Sequence, residues 1–339
     1  MKFGSVPVGM AEGTILAHSV RHGGGVFKKG TLLGAPEIAA LHAAGVGEVV
    51  AARLDPGDVH EDEAAGRLAR SAAGVGIRVE PPFTGRSNLY AEAAGLLVID
   101  RALVDRFNRI DPAITIATLQ EFAVVEPGRM VATVKIIPFA VREARLAEAV
   151  ALGAALHVAA FRPLKVGLVA TTLPTLKNSV LDKTRRLLDQ RLAGAGALVM
   201  GEHRVAHTAD AVSAALADLQ REGADLLIVF GASAMVDAAD VVPAGIVAAG
   251  GEIRHLGMPV DPGNLLILGA FGAVPVIGAP GCARSPKENG FDWILRRLLA
   301  GLDVSSADIT ALGVGGLLME IVSRPQPREG GGSIEEPDA

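Results

Sequence analysis

Three loops in the second half of this 339-residue sequence carry residue types that can bind a small anion. Glycine lets a backbone approach a ligand closely, and loops of this kind can direct backbone N–H groups at a negative charge beside a helix N-terminus. The residues concerned are Gly231, Ser233, Asp237 and Asp240 in the first loop, Pro262, Gly263 and Asn264 in the second, and Pro280, Gly281, Arg284 and Ser285 in the third. Asp240, followed by Asp237, is the best candidate for a catalytic or metal-orienting carboxylate.

Each loop also has a purely structural interpretation. Gly-Ala-Ser and Pro-Gly sequences are mostly ordinary connections, and Asp237 and Asp240 lie where helix-capping aspartates are common. Cys282 is the single cysteine, which excludes an internal disulfide and a structural zinc site. Because no histidine lies near it in sequence, Cys282 is predicted to fill space rather than to react.

Other motifs give weaker signals. The eight histidines show no metal-binding spacing such as HExxH. His203 and His207 are predicted to share one helix face, but no carboxylate accompanies them, which disfavours a metal site there. The absence of a Walker loop and of a GxGxxG sequence after a strand disfavours a P-loop NTPase or a nicotinamide enzyme.

From Phe161 onward, apolar strands alternate with amphipathic helices, which predicts an α/β domain with a mostly parallel sheet. The predicted strands are Val166 to Ala170, Leu226 to Phe230, Leu265 to Leu268 and Val274 to Ile277. In such a sheet, ligands bind outside the carboxyl ends of the strands. The three loops are therefore predicted to meet at one rim.

The rest of the chain is predicted to form two smaller regions and a tail. Residues 1–85 read as a small α+β region and residues 86–160 as an α+β middle region, followed by the α/β domain at 161–324 and a flexible tail or linker at 325–339. Within them, the sequence predicts helices at Pro36 to Ala44 and Val59 to Ala73, the start of a helix at Arg86 to Leu96, and a strand at Val131 to Ile137.

Composition narrows the class of protein. Half of the residues are hydrophobic and 20% are charged, which excludes a wholly disordered chain. A net charge of -5 disfavours nucleic acid and anionic membranes as partners, because phosphate binding over a large surface needs a basic face. The sequence has no signal peptide and no apolar run long enough to span a bilayer, so we expect a soluble cytoplasmic protein.

The three loops resemble those of the molybdopterin-binding domain family. That family includes molybdopterin adenylyltransferases, molybdopterin molybdotransferases and a domain of competence-damage-inducible proteins. Its pattern is a Gly-Gly-x-Ser/Thr loop after a strand, an aspartate ahead of the next helix, and two Pro-Gly sequences. The matching segments are Gly231-Ala232-Ser233, Asp240-Val241-Val242-Pro243, Asp261-Pro262-Gly263-Asn264 and Gly278-Ala279-Pro280-Gly281. The resemblance covers residues 165–302, and a shorter one, at residues 30–50, is to a segment of the molybdotransferase.

The resemblance implies a three-layer domain that binds molybdopterin, a pterin with a dithiolene and a terminal phosphate. Loop N–H groups with Lys177 or Arg284 would suit that phosphate, with Asn178 beside them. Asp240 would suit a pterin N–H or a magnesium ion. The resemblance also allows a homo-oligomer and a fused or partner nucleotidyltransferase that finishes the cofactor.

The sequence departs from the family pattern at three places. Phe230 stands where a second glycine is usual, Cys282 where an asparagine is usual, and Thr171-Thr172-Leu173-Pro174 where an acidic residue is often found. The leading hypothesis is a molybdenum cofactor biosynthesis protein that binds molybdopterin or its adenylylated form, with a part in a cofactor-maturing transferase as the finer expectation. The missing carboxylate favours the first alternative, a non-catalytic cofactor carrier or sensor. The second alternative is a pyridine-nucleotide hydrolase or amidase related to the competence-damage-inducible proteins.

Overall fold

The computed structural model describes residues 1–319, and the tail predicted at 325–339 lies outside the described residues. The chain divides into two compact units. The first contains Met1–Arg162 with Leu299–Leu302, and the second contains Pro163–Leu298 with the described residues 303–319. None of the helices in residues 1–319 has the length and apolar character that crossing a membrane requires.

The first unit is built from short antiparallel sheets and four helices. Its strands are β1 (Lys2–Pro7), β2 (Ile15–Leu16), β3 (Val20–His22), β4 (Gly25–Phe27), β5 (Glu48–Arg53), β6 (Asp58–His60), β7 (Ile77–Val79), β8 (Arg86–Ala91), β9 (Gly95–Ile99), β10 (Ile114–Thr118), β11 (Val124–Val125), β12 (Met130–Ile136), β13 (Ala140–Arg142) and β14 (Leu156–Ala160). Its helices are α1 (Ala35–Ala43), α2 (Glu61–Ala72), α3 (Arg101–Ile110) and α4 (Glu143–Val150). The strand orders are β1-β5-β2, β3-β4, β10-β12-β8-β7, β11-β9-β14 and β13-β6.

Helix α2 forms the centre of the larger core in this unit. Its small and apolar residues are buried on the side that contacts β8 and β12, and Leu68 is fully buried. Three acidic residues in its first turn, beginning at Glu61, lie where the helix dipole favours negative charge. The predicted helix at Val59 to Ala73 is thus confirmed with slightly shorter bounds.

The predicted start of a helix at Arg86 to Leu96 is wrong, because this segment forms β8 and the start of β9. Burial in β8 alternates, with Ser87, Leu89 and Ala91 buried. That period of two is the pattern of a strand with one covered face. Strand β8 pairs with β7 on one side and β12 on the other, so its backbone is satisfied within the sheet.

Up to residue 319, the second unit is built on one six-stranded sheet. Its strands are β15 (Lys165–Thr172), β16 (Leu198–Ala206), β17 (Leu226–Phe230), β18 (Glu252–Leu256), β19 (Ile267–Phe271) and β20 (Val274–Ala279). Its helices are α5 (Asn178–Ala193), α6 (Ala209–Arg221), α7 (Val241–Ala248), α8 (Gly290–Leu299) and α9 (Ser306–Thr310). The strand order is β16-β15-β17-β20-β19-β18.

This sheet is mixed rather than uniformly parallel. Strand β15 pairs in parallel with β16 and β17, and β17 pairs in parallel with β20. Strand β19 is antiparallel to both of its neighbours, β20 and β18. The reversal follows from a tight connection between β19 and β20, where Gly272 has a φ of +61°. A hairpin of this kind joins antiparallel strands only.

Successive buried side chains of β17 face opposite sides of the sheet. Val229 belongs to a core cluster that also contains buried residues of α6 and α7, including Leu216 and Ile246. Phe230, the next residue, contacts Phe291 of α8 with the ring centroids 6.1 Å apart. Successive side chains of a strand point to opposite faces, so β17 is covered by different helices on its two sides.

Strand β16 was not predicted, and the helix face predicted for His203 and His207 does not exist. His203 lies in β16 and His207 follows its end. Two residues four apart in a strand are separated by roughly 13 Å, too far for both to bind one metal ion. No group of three or more metal-binding side chains is found in residues 1–319.

Candidate functional site

The register of the sheet brings four connecting segments to one edge. Phe230 at the end of β17 pairs with Ala170 of β15 and with Ala279 at the end of β20. Ile267, where the antiparallel β19 begins, pairs with Gly278. The segments after β15, β17 and β20 and the segment before β19 therefore all leave the sheet at the same edge. These include the three loops singled out in the sequence.

Gly231 is required by the packing of the first loop. A Cβ at this position would lie 2.9 Å from the Ser233 carbonyl oxygen and 3.3 Å from a methyl group of Val242. The next residue, Ala232, donates its N–H to the buried Thr171 hydroxyl at 2.6 Å. The first loop is thereby held against the end of β15.

Arg284 projects from the third loop onto the first. Its Nη2 donates to the Gly231 carbonyl oxygen at 2.9 Å, and its Nη1 donates to the Thr184 hydroxyl of α5 at 2.8 Å. Its guanidinium lies 5.2 Å from the centre of the Phe230 ring. No carboxylate in residues 1–319 forms a salt bridge with it, and burial lowers the pKa of the Arg284 side chain.

A second arginine fixes the turn that carries Arg284. Arg191 of α5 donates to the carbonyl oxygens of Ala283 and Ser285, at 3.0 and 2.6 Å. Its Nε donates to Asp292 at 2.6 Å, and both side chains of this ion pair are nearly buried. The backbone on either side of Arg284 is therefore held by a neutralised arginine.

The two candidate catalytic aspartates are engaged with their own loop. Asp240 caps α7: one carboxylate oxygen accepts the Val241 N–H at 2.7 Å and the other accepts the Val236 N–H at 3.2 Å. Asp237 accepts the Ala239 N–H at 2.8 Å. These are the bonds of a helix cap and a turn, which the sequence also suggested as the structural interpretation.

The second loop supports the start of α8 rather than exposing its backbone. Pro262 and Gly263 are buried, and the Pro262 carbonyl accepts the Gly290 N–H at 2.9 Å. A Cβ on Gly263 would lie 2.8 Å from the Gly290 nitrogen, so the two segments touch. Asn264 is exposed at the same loop.

The remaining predicted residues are distributed along the same edge. Ser233, Lys177 and Asn178 are exposed, the last two at the N-terminus of α5. Pro280 is buried, whereas Gly281 is exposed and has no atom within 4 Å of a Cβ placed on it. Ser285 is partly buried, and its hydroxyl accepts the Lys287 N–H at 3.3 Å.

His207 lies at this edge and was not among the predicted site residues. His207 Nδ1 lies 2.9 Å from the Thr171 hydroxyl oxygen, and its Cε1 is 3.9 Å from a Cβ placed on Gly231. Its place at the end of an unpredicted strand is the reason it was missed. Cys282 is partly buried, and that burial raises the pKa of its thiol, which disfavours the reactive thiolate.

Comparison with known protein families finds a match in the first unit. The family described as "Domain of unknown function (DUF8806)" matches residues 5–53, a short segment of the first unit. No curated protein matches the chain.

Several solved structures show similarity to the chain. The molybdopterin biosynthesis MoeA protein from Pyrococcus horikosii is 14% identical over 88% of this chain and 75% of its own, with a TM-score of 0.31. The CinA protein from Thermoplasma acidophilum is 16% identical over 37% of this chain and 90% of its own, with a TM-score of 0.29. The MogA structure is 20% identical over 40% of this chain and 94% of its own, also with a TM-score of 0.29. These similarities are coarse and assign no residue or ligand to this chain.

Proposed function

We propose that this edge of the six-stranded sheet binds a molybdopterin-type ligand, with the terminal phosphate held by Arg284. The single observation that carries the proposal is the Arg284 guanidinium, which is partly buried and has no carboxylate partner in residues 1–319. Removing a charge from water without a counterion is unfavourable, so such a group is best explained by an anion that completes it.

The geometry of Arg284 suits a phosphate. A guanidinium has five N–H donors in a planar fork, and two of them are used by Gly231 and Thr184. The other three remain for phosphate oxygens, which arginine binds in bidentate fashion. Ser233 and Ala234, in the adjoining loop, have backbone N–H groups with no hydrogen-bond acceptor in residues 1–319. Such N–H groups add to the attraction for an anion.

The finer features of the proposal rest on the resemblance in the loops. They are a three-layer domain with α6 and α7 on one face of the sheet and α8 on the other, and a pterin ring lying beside the phosphate. Lys177 and Asn178 at the start of α5 would supply further polar contacts. A homo-oligomer and a partner nucleotidyltransferase belong to the same proposal.

The residues present do not fit a resident magnesium ion. Both carboxylate oxygens of Asp240 accept backbone N–H groups, so the donor set offers no free ligand pair. The same hydrogen bonds favour binding and delivery of the cofactor over a transferase reaction, because Asp237 and Asp240 already serve the loop.

Equilibrium dialysis of the full chain with molybdopterin tests the proposal. We expect saturable binding by the wild type and a loss of about 10- to 100-fold in Arg284→Met, because a charged hydrogen-bonding partner of the phosphate is removed. The matched control is Arg186→Met, since Arg186 is exposed on α5, two residues beyond Thr184. No saturable binding by folded wild type, or equal affinity of Arg284→Met and wild type, would refute the proposal.

A separate experiment distinguishes a transferase from a carrier. Asp240→Asn keeps an oxygen acceptor for the cap but removes the negative charge. If the protein is a transferase that uses Asp240, this variant binds molybdopterin and loses turnover. If it is a carrier, wild type and variant bind alike and neither converts the ligand.

A further inference from the structure

The Thr171 and His207 side chains form a pair beneath the first loop that the site residues above do not explain. Thr171, the penultimate residue of β15, is fully buried. Its hydroxyl oxygen has two hydrogen-bond partners in residues 1–319, the Ala232 N–H at 2.6 Å and His207 Nδ1 at 2.9 Å. One hydroxyl thus connects the ends of β15, β16 and β17.

The direction of the bond between Thr171 and His207 follows from counting protons. A hydroxyl has one proton to donate and two lone pairs. The Ala232 N–H can only donate, so it occupies a lone pair of Thr171. The Thr171 proton then has His207 Nδ1 as its acceptor, because a buried hydroxyl proton without an acceptor would carry its full desolvation cost.

An accepting Nδ1 fixes the tautomer of His207. In a neutral imidazole one nitrogen accepts and the other carries the proton, so the proton of His207 is on Nε2. The His207 backbone is also held, since its N–H donates to the Thr172 carbonyl at 3.1 Å. His207 is partly exposed, and Nε2 has no hydrogen-bond partner in residues 1–319.

The side chains of His207 and Arg284 both approach Gly231. Arg284 donates to the Gly231 carbonyl oxygen, and His207 Cε1 is 3.9 Å from a Cβ placed on Gly231. We propose that His207 is a second ligand-binding residue, a neutral donor that gives its Nε2–H to an oxygen of the phosphate-bearing ligand. This inference rests on the proposed function and adds to it a donor whose tautomer is fixed by Thr171.

The first test concerns the tautomer and needs no ligand. Long-range proton–nitrogen NMR of the full chain, labelled with ¹⁵N-histidine and held at about pH 8 where an ordinary imidazole is neutral, reports which nitrogen is protonated. The His207 signal is assigned by its loss in His207→Asn. We expect the proton on Nε2 in the wild type and in Thr171→Ser, and a mixture of tautomers in Thr171→Val. A proton on Nδ1 in the wild type would overturn the inference.

The second test concerns the ligand contact and uses inorganic pyrophosphate as the probe. His207→Asn keeps an acceptor near the Nδ1 position but has no donor near Nε2, whereas His207→Gln keeps a donor near the Nε2 position. We expect pyrophosphate to bind about 10-fold more weakly to His207→Asn, and His207→Gln to recover part of that loss. Circular dichroism of each variant establishes that it is folded.

The outcomes separate this inference from the proposed function. Pyrophosphate binding that depends on Arg284 but is unchanged in His207→Asn overturns the role of His207 alone. Failure of the folded wild type to bind either pyrophosphate or molybdopterin overturns both. Weaker binding in His207→Asn with partial recovery in His207→Gln supports the role of His207.

Discussion

One arginine of the first unit, Arg67, and one of the second, Arg284, have different hydrogen-bond partners. In the first unit, Arg67 of α2 donates to both oxygens of Glu143, each at 2.7 Å, and its charge is balanced within the protein. At the sheet edge of the second unit, Arg284 donates only to a carbonyl and a hydroxyl. The carboxylate partner of Arg67 balances its charge, whereas the proposed function supplies the missing counterion of Arg284 as a bound anion.

The largest expected effect compares two arginines at the same sheet edge. Arg191 has a carboxylate partner and Arg284 has none in residues 1–319, so the comparison tests the ion pair rather than the position. Arg191→Met would leave Asp292 buried without its partner and should lower the free energy of unfolding by about 3–5 kcal/mol. Arg284→Met removes a charge that has no partner and should change the stability by less than about 1 kcal/mol. Urea unfolding of both variants measures this, and equal losses would contradict the difference drawn between the two arginines.

The second effect tests the loop to which Arg284 is bound. Gly231→Ala places a methyl group 2.9 Å from the Ser233 carbonyl oxygen and should cost about 1–3 kcal/mol of stability through overpacking. Gly281→Ala is the matched control, since nothing lies within 4 Å of its Cβ and a change under about 0.5 kcal/mol is expected. Thermal or urea unfolding distinguishes them. A tolerated Gly231→Ala would show that the first loop is not held as described.

A third effect concerns the cap of α7. Asp240→Ala removes both acceptors of loop N–H groups and should lower stability by about 1 kcal/mol. Asp240→Asn keeps one oxygen acceptor and should lose less. The measurement is again urea unfolding. If Asp240→Ala were as stable as wild type, the hydrogen bonds of Asp240 would not be needed for the loop, and its carboxylate would be available for catalysis. The contrast between Asp240, which is bonded to the loop, and Arg284, which has no carboxylate partner in residues 1–319, would then be weaker.

The smallest effect is the pH dependence of the stability that the ion pair between Arg67 and Glu143 contributes. The bond with Arg67 lowers the pKa of Glu143 below its usual range. A carboxylate with a depressed folded pKa stabilises the protein above its unfolded pKa, about 4.3 for glutamate, and the contribution is lost as the pH falls through the folded value.

Glu143→Gln should therefore be less stable than wild type at about pH 7, with the difference shrinking at about pH 3. Urea midpoints of both proteins at the two pH values provide the measurement. A difference that grows on acidification would have the wrong sign for this ion pair.

Local sequence patterns were sufficient for β15, β17 and β20, whereas the strand predicted at Leu265 to Leu268 overlaps β19 at only two residues. Five consecutive apolar residues, Leu226 to Phe230, predicted the strand that the structure shows as β17. The turn residues that follow it predicted where the first loop begins. A strand buried on both faces is continuous in its apolar pattern, so its position can be read without knowledge of its neighbours.

Other features depend on partners that are distant in sequence. Strand β16 is an edge strand with the charged residues Glu202 and Arg204, and its pairing with β15 is what makes it a strand. Because β16 was not predicted, the position of His207 at the sheet edge was not predicted either. The bond from Arg284 to Gly231 joins residues 53 positions apart, and no local pattern indicates whether an arginine has a carboxylate nearby.

The bonds from Arg191 to the two carbonyls that flank Arg284 have a kinetic consequence. These bonds hold the backbone of the turn, so under the proposed function an incoming anion would meet a guanidinium already in place, with no ordering of the turn before binding. Association should then be limited by diffusion and accelerated by charge attraction, rather than by a slow closure of the loop. Added salt would slow such an encounter far more than it would hasten escape.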